Sequence, residues 1–249
     1  MPTKISPMGE QRTSAQADER NRLLRDLEPK TYARLMDELE SVELSAKQAL
    51  WSPNSPIKSI YFPRTCVVSL IVPAGDDKPI EAATVGNEGF LGVPVALGAN
   101  STNMMALAQV PGVALRLPTA TFRAFMAEED GLRTAALAYA HTLLEQTAQT
   151  VACNRRHELS ERCARWLLMT HDRVAERRFS LTQDFLAIML GVRRASVTVA
   201  AGMLQRAGLI RYSRGLVEVL NREGLEAASC ECYRLVVQSS ARVEATDRS

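Results

Sequence analysis

The stretch RRASVT sets two guanidinium groups, a small apolar side chain and two hydroxyls, parted by a valine, within six residues. On a helix, Arg193, Arg194, Ala195, Ser196 and Thr198 crowd the N-terminal end of one face. Cationic and hydroxyl donors at the leading end of a helix suit the phosphates and base edges of a DNA major groove. A helical hairpin with a solvated basic edge would use the same residues. The neighbouring elements therefore decide between the two.

Those neighbours form a pattern from Leu181 to Leu220. Thr182 is placed to cap a helix carrying Phe185, Leu186, Met189 and Leu190 at helical spacing. Gly191 breaks it where a tight turn disfavours a Cβ. A second helix runs from about Arg193 to Ala207, with Val197, Ala200, Ala201 and Leu204 as a narrow inner face. Gly208 stops it, and Leu209 to Leu220 alternates about a Ser213-Arg214-Gly215 turn as a β-hairpin does. A hairpin after helix-turn-helix stands where a wing would, which favours double-stranded DNA as the partner.

Other residues with chemical potential form weaker patterns. Cys153 and His157 lie at i and i+4, with Cys163 and His171 further on; we read them as packing residues rather than a zinc or redox site. Cys230-x-Cys232 has the wrong spacing for the common redox motif, and is read as structural. With Cys66 these make five cysteines, too irregular for an iron–sulfur set and suited to a reducing compartment. No metal or cofactor is expected. Three histidines and no glycine-rich phosphate loop give no nucleophile–base constellation, so an enzyme is not expected.

The chain has 249 residues, 46% of them apolar and 23% charged, enough for more than one packed core. A formal charge of +2 hides an uneven distribution: between Arg155 and Arg214 arginines outnumber acids by more than two to one. A basic carboxyl half suits a polyanion. No run approaches a membrane span and no secretory h-region opens the chain, so a cytoplasmic protein without membrane contact is expected.

In order, residues 1–20 read as a disordered tail, and Asn21 to Leu39 as two short helices parted at Pro29. Short β runs follow at Ser59–Pro63, Cys66–Val72, Ile80–Val85, Met104–Val110 and Val113–Leu117, as in a small barrel or sandwich. Thr119 to His157 reads as helical. Its seam Leu132, Ala136, Tyr139, Leu143, Gln146, Thr150, Cys153 and His157 is expected to pair with a second copy, although packing on its own barrel would use the same residues. Leu159, Cys163, Trp166, Leu167 and Thr170 open the next amphipathic helix. The reading is α+β: a β-roll over 21–127, a dimerisation helix over 128–157, a winged helix-turn-helix over 158–233 and a disordered tail over 234–249.

This order resembles the Crp/Fnr family of bacterial transcription regulators, over about residues 21 to 233. FSLTQDFLAIMLGVRRASVTVAAGMLQRAGLIRYSRG carries the likeness most strongly, with SIYFPRTCVVSLIV and VGNEGFLGVPVALG behind it. The resemblance implies a homodimer on a near-palindromic site. It puts Arg194 where a guanine is read, Arg193 and Ser196 at phosphates, and Thr182 and Gln183 at the DNA backbone. Ala195 stands for a cytosine-reading glutamate and Val199 for a contacting arginine, so thymine methyls are the expected substitutes. Phe90 stands where cyclic-nucleotide-binding members hold the ribose with glutamate, and Ser101-Thr102 where an arginine–serine pair grips phosphate. Asn87 to Leu107 contains no basic residue, so cyclic nucleotide is not expected to bind in the usual mode. RNA polymerase and an unidentified small-molecule effector are further partners compatible with the reading. The competing reading is a small-molecule or redox sensor whose β-roll binds an unidentified ligand.

Overall fold

The computed structural model describes residues 12–74, 77–174 and 176–246. Three helices open it: α1 (Ser14–Ala17), α2 (Arg22–Arg25) and α3 (Pro29–Glu38). Residues 12–20 thus correct the expectation of a tail reaching to residue 20. Polar contacts hold them where apolar periodicity is missing. Gln16 Nε2 donates to the carbonyls of Arg25 (3.1 Å) and Leu27 (2.7 Å). Buried Glu19 accepts from Arg64 Nε at 2.9 Å. Asn21 caps α2 while its amide donates to the carbonyls of Pro63 and Gly89. Residues 1–11 of that expected tail lie outside the described residues.

Seven strands follow: β1 (Glu40–Leu44), β2 (Ala49–Trp51), β3 (Ser59–Pro63), β4 (Val67–Ala74), β5 (Asp77–Val85), β6 (Met105–Val110) and β7 (Gly112–Pro118), with the short helix α4 (Val93–Ala96) between β5 and β6. They form two antiparallel sheets, in the orders β1-β7-β3 and β2-β6-β4-β5. Ile60, Phe62, Val68, Leu70, Phe90 and Leu117 pack in the roll's core. Strand β4 is buried on both faces: Val68 and Leu70 join that core, Val67 and Ile71 a second one. This explains its apolar run, broken only by buried Ser69 between Val67 and Val72, which alternation alone would not produce.

The helical stretch from Thr119 comprises two helices, α5 (Thr119–Glu128) and α6 (Asp130–Arg156). Glu129 parts them with an extended backbone, and its carboxylate accepts from Thr31 Oγ1 at 2.7 Å. The α6 seam expected to meet a second copy is instead used within the chain. Leu132, Ala136, Tyr139 and Leu143 belong to the roll's core, and Gln146 Oε1 accepts from the Thr84 amide at 3.1 Å. Leu137, Leu144 and Val151 face outward, 43%, 67% and 68% exposed.

The remaining elements are α7 (Leu159–His171), β8 (Arg178–Ser180), α8 (Gln183–Leu190), α9 (Arg194–Arg206), β9 (Ile210–Ser213), β10 (Leu216–Val219), α10 (Arg222–Ala227) and α11 (Cys232–Thr246). Helix α11 corrects the expected tail from residue 234. Tyr233 and Val236 are buried in the helical domain's core, and Ser239 Oγ donates to Glu145 on α6. No single helix among the described residues is long and apolar enough to cross a membrane.

Candidate nucleic-acid interface

Thr182 caps α8 as its position suggests, its Oγ1 accepting from the Phe185 amide at 3.2 Å. Gly191 ends the helix at φ 64°, a conformation open to glycine at little cost. The chain bends by 102° into α9, within the range of helix-turn-helix pairs. Phe185, Leu186, Met189 and Leu190 of α8 share one core with Val197, Ala200 and Leu204 of α9 and with Cys163, Trp166 and Leu167 of α7. Ala200 and Ala201 let α9 lie close, leaving its other face to solvent.

That other face carries the residues singled out in sequence. Arg193, Arg194, Ala195, Thr198 and Val199 are exposed, and Ser196 is half-buried. Arg194 Nη1 lies 3.5 Å from Asp184 Oδ2, and both side chains are largely in solvent. Thr198 Oγ1 donates to Gln183 Oε1 at 2.9 Å, tying α9 to the start of α8. Met203, 49% exposed, continues the face one turn beyond Val199. Sequence reading passed over it, although the i+4 spacing from Val199 was the available signal.

The hairpin beside this edge is the predicted one plus a third strand, in the order β8-β10-β9. Arg214 and Gly215 both have positive φ, 51° and 76°, as a two-residue type I′ turn requires. Arg214 is exposed at the tip. Arg178 and Arg211 flank Glu218 at 3.1 and 2.9 Å and hold its carboxyl below the usual range. Tyr212 Oη donates to the Leu181 carbonyl at 2.9 Å, fastening the hairpin to the entry of α8.

In the roll, Phe90 is fully buried among Phe62, Phe122 and Tyr139, with ring centroids 5.9, 5.5 and 5.4 Å away. Beside it lies a cavity of about 630 Å³ whose walls include Trp51, Leu70, Val93, Leu97, Leu137 and Leu144. Thr102 borders it, and His141 is the one titratable side chain among its described walls.

The helical domain rests on the outer face of the roll. Trp166 Nε1 donates to Glu81 Oε1 at 2.8 Å, Gln109 Nε2 to Thr170 Oγ1 at 3.0 Å, and Arg173 Nε to Glu88 Oε1 at 2.8 Å. Burial pushes the Glu81 carboxyl up to about 7, against the opposing pull of Ser69, Trp166, Arg165 and Arg173.

A second constellation lies at the base of this domain. Cys153, His157, Cys230 and Cys232, read separately in sequence, bring their ligand-type atoms within 4.8 Å of one another. Cys153 and Cys230 Sγ are 3.5 Å apart, as are Cys232 Sγ and His157 Nδ1. Bonding from Cys230 draws the Cys153 thiol down and raises its partner. Cys163 and His171 take no part. Cys163 sits in the helical core with its thiol pushed up to about 12 by burial, and His171 Nδ1 lies 2.8 Å from Arg222 Nη1. Cys153 and His157 did carry a signal in their i, i+4 spacing, but their partners come from beyond the hairpin.

Residues 161–228 match the Crp-like helix-turn-helix domain. No curated protein matches the chain in sequence. Among solved structures it is similar to FixK2 from Bradyrhizobium japonicum, with TM-score 0.66 and 15% identity over 77% of this chain and 98% of that one. TTHB099, a Crp-family transcriptional regulator from Thermus thermophilus, has TM-score 0.62 and 19% identity over 76% and 96% of the two chains. A Crp/Fnr-family regulator from Eubacterium rectale has TM-score 0.63 and 15% identity over 83% and 97%. Residues 161–228 are thus a Crp-like helix-turn-helix domain, and the chain as a whole has the Crp/Fnr regulator fold.

Proposed function

We propose that this chain is a homodimeric, sequence-specific DNA-binding transcription regulator of the cytoplasm, acting by binding rather than catalysis. The observation that carries the reading is the free edge of α9: Arg193, Arg194, Thr198 and Val199 stand in solvent beside a hairpin tipped by Arg214. Arg194 reads a base and Arg193, Ser196, Thr182 and Gln183 bond phosphates, while Ala195, Thr198 and Val199 meet the groove floor. Arg214 at the hairpin tip adds a backbone contact. The roll, helix α6 and the winged domain serve as sensor, dimerisation and DNA-binding units.

Dimerisation uses the outward stripe Leu137, Leu144 and Val151, whose sevenfold spacing keeps one side of α6 continuous. Two copies then present their α9 helices about 34 Å apart, as a near-palindromic site needs. The test is selection of genomic fragments by purified protein at fixed salt, with the Arg194→Ala variant in parallel. A palindrome should emerge, and the variant should lose about 1–3 kcal/mol and relax one base position. Equal binding of operator and random DNA by parent and variant would remove Arg194 from the interface.

The apolar cavity in the roll favours a second function, capture of a small apolar effector rather than a cyclic nucleotide. Its described walls offer no guanidinium for a phosphate. Leu137 and Leu144 belong both to that wall and to the proposed seam, so an occupant would press on the dimer contact. Competition between cyclic AMP and an apolar fluorophore for the purified protein tests this; displacement by cyclic AMP would refute it.

A further inference from the structure

We propose that Cys153, His157, Cys230 and Cys232 form a tetrahedral site for a thiophilic divalent cation of the zinc class, fastening the DNA-binding domain to the end of α6. The group is the one set of this kind among the described residues. The four ligand-type atoms lie close enough together to share one ion. With zinc–sulfur bonds of about 2.3 Å and zinc–nitrogen of about 2.05 Å, a tetrahedron has edges of about 3.8 Å between sulfurs and about 3.6 Å between sulfur and nitrogen. The two contacts above, both 3.5 Å, fall beside these values. The three cysteines are almost wholly buried, whereas the histidine side chain is 15% exposed, which leaves a way in.

The surroundings suit a metal centre as well. His157 presents Nδ1 to the cluster while its Nε2 lies 3.2 Å from Glu231 Oε1, the carboxylate–histidine arrangement that orients a metal-binding imidazole. Gln149 Nε2 donates to Cys232 Sγ at 3.0 Å, as it would to a thiolate. Buried Arg165 lies against Cys153, and its Nε has no hydrogen-bond partner. Three thiolates, a neutral imidazole and a divalent cation sum to one negative charge, which that guanidinium would neutralise. On loading, the three thiols give their protons to solvent and nothing is oxidised or reduced.

The ligands also bracket the domain. Cys153 and His157 end the long helix before it, and Cys230 and Cys232 follow it at the start of α11. An ion held by both pairs closes the base of the domain into a ring with the last turn of α6, limiting the angles at which α9 can be presented.

The test uses the full chain, reduced and stripped with a chelator, then titrated with cobalt(II) alone. One equivalent should give thiolate-to-metal charge transfer and the intense visible bands of a tetrahedral ion, both removed by one equivalent of zinc(II). X-ray absorption of the zinc form should count three sulfurs and one nitrogen. Cys232→Ser should weaken binding more than about a hundredfold. Glu231→Ala, a surface change that spares the fold, should weaken it about tenfold through the imidazole. Weak octahedral cobalt bands, or an affinity that Glu231→Ala and Cys232→Ser leave unchanged, would each overturn the proposal.

Discussion

The two apolar stripes of α6 run side by side with the same seven-residue period and meet different fates. Leu132, Ala136, Tyr139 and Leu143 close the roll's core, while Leu137, Leu144 and Val151 are left in solvent. Periodicity reports that a face needs covering; it does not say which molecule covers it. The inward stripe holds Tyr139, whose ring packs on Phe90, and the buried Gln146, whose amide is bonded to the Thr84 backbone. The outward stripe holds only aliphatic side chains, which a second helix can match with no directional bond.

Breaking the inward side should have the largest effect. Tyr139→Ala empties the space beside Phe90 and should cost about 3–5 kcal/mol in chemical denaturation. A loss below about 1 kcal/mol would mean that the ring cluster is not a structural anchor. On the outward side, Leu144→Glu should leave the fold intact and raise the dimer dissociation constant more than about tenfold by analytical ultracentrifugation. An unchanged dimer would move the seam elsewhere.

The smallest effect concerns the polar end of the inward stripe, where Gln146 and Thr150 lie near Glu81. Folded, the Glu81 carboxyl keeps its proton to about 7, against an ordinary 4.5. The folded chain then binds more protons than the unfolded one in between, so its stability falls as pH rises from 4.5 through about 7. Arg165 and Arg173 oppose this shift without cancelling it. Glu81→Gln should flatten that slope in melting curves collected across the window; an unaltered slope would assign it to another group.

Local chemistry made one region legible and its absence hid the others. Thr182, Gly191 and the Arg214-Gly215 turn act within a few residues, so the helix-turn-helix and its hairpin could be read directly. The anchoring of residues 12–20 depends on Gln16 meeting Leu27 and on Glu19 meeting Arg64, and the break at Glu129 on Thr31. None of these pairings leaves a trace in neighbouring residues. Strand β8 and helix α11 are likewise fixed by what they pack against. The cysteine–histidine cluster is the sharpest case, because each half is unremarkable until the fold joins them.

Strand β4 draws a final consequence. Its even and odd residues are the flooring of two different cores, Val68 and Leu70 on one side, Val67 and Ile71 on the other. Neither half of the molecule can lose its packing without baring this strand to the other's solvent. Heat should therefore melt the chain in a single cooperative event, and the amides of β4 should exchange with deuterium only through global unfolding.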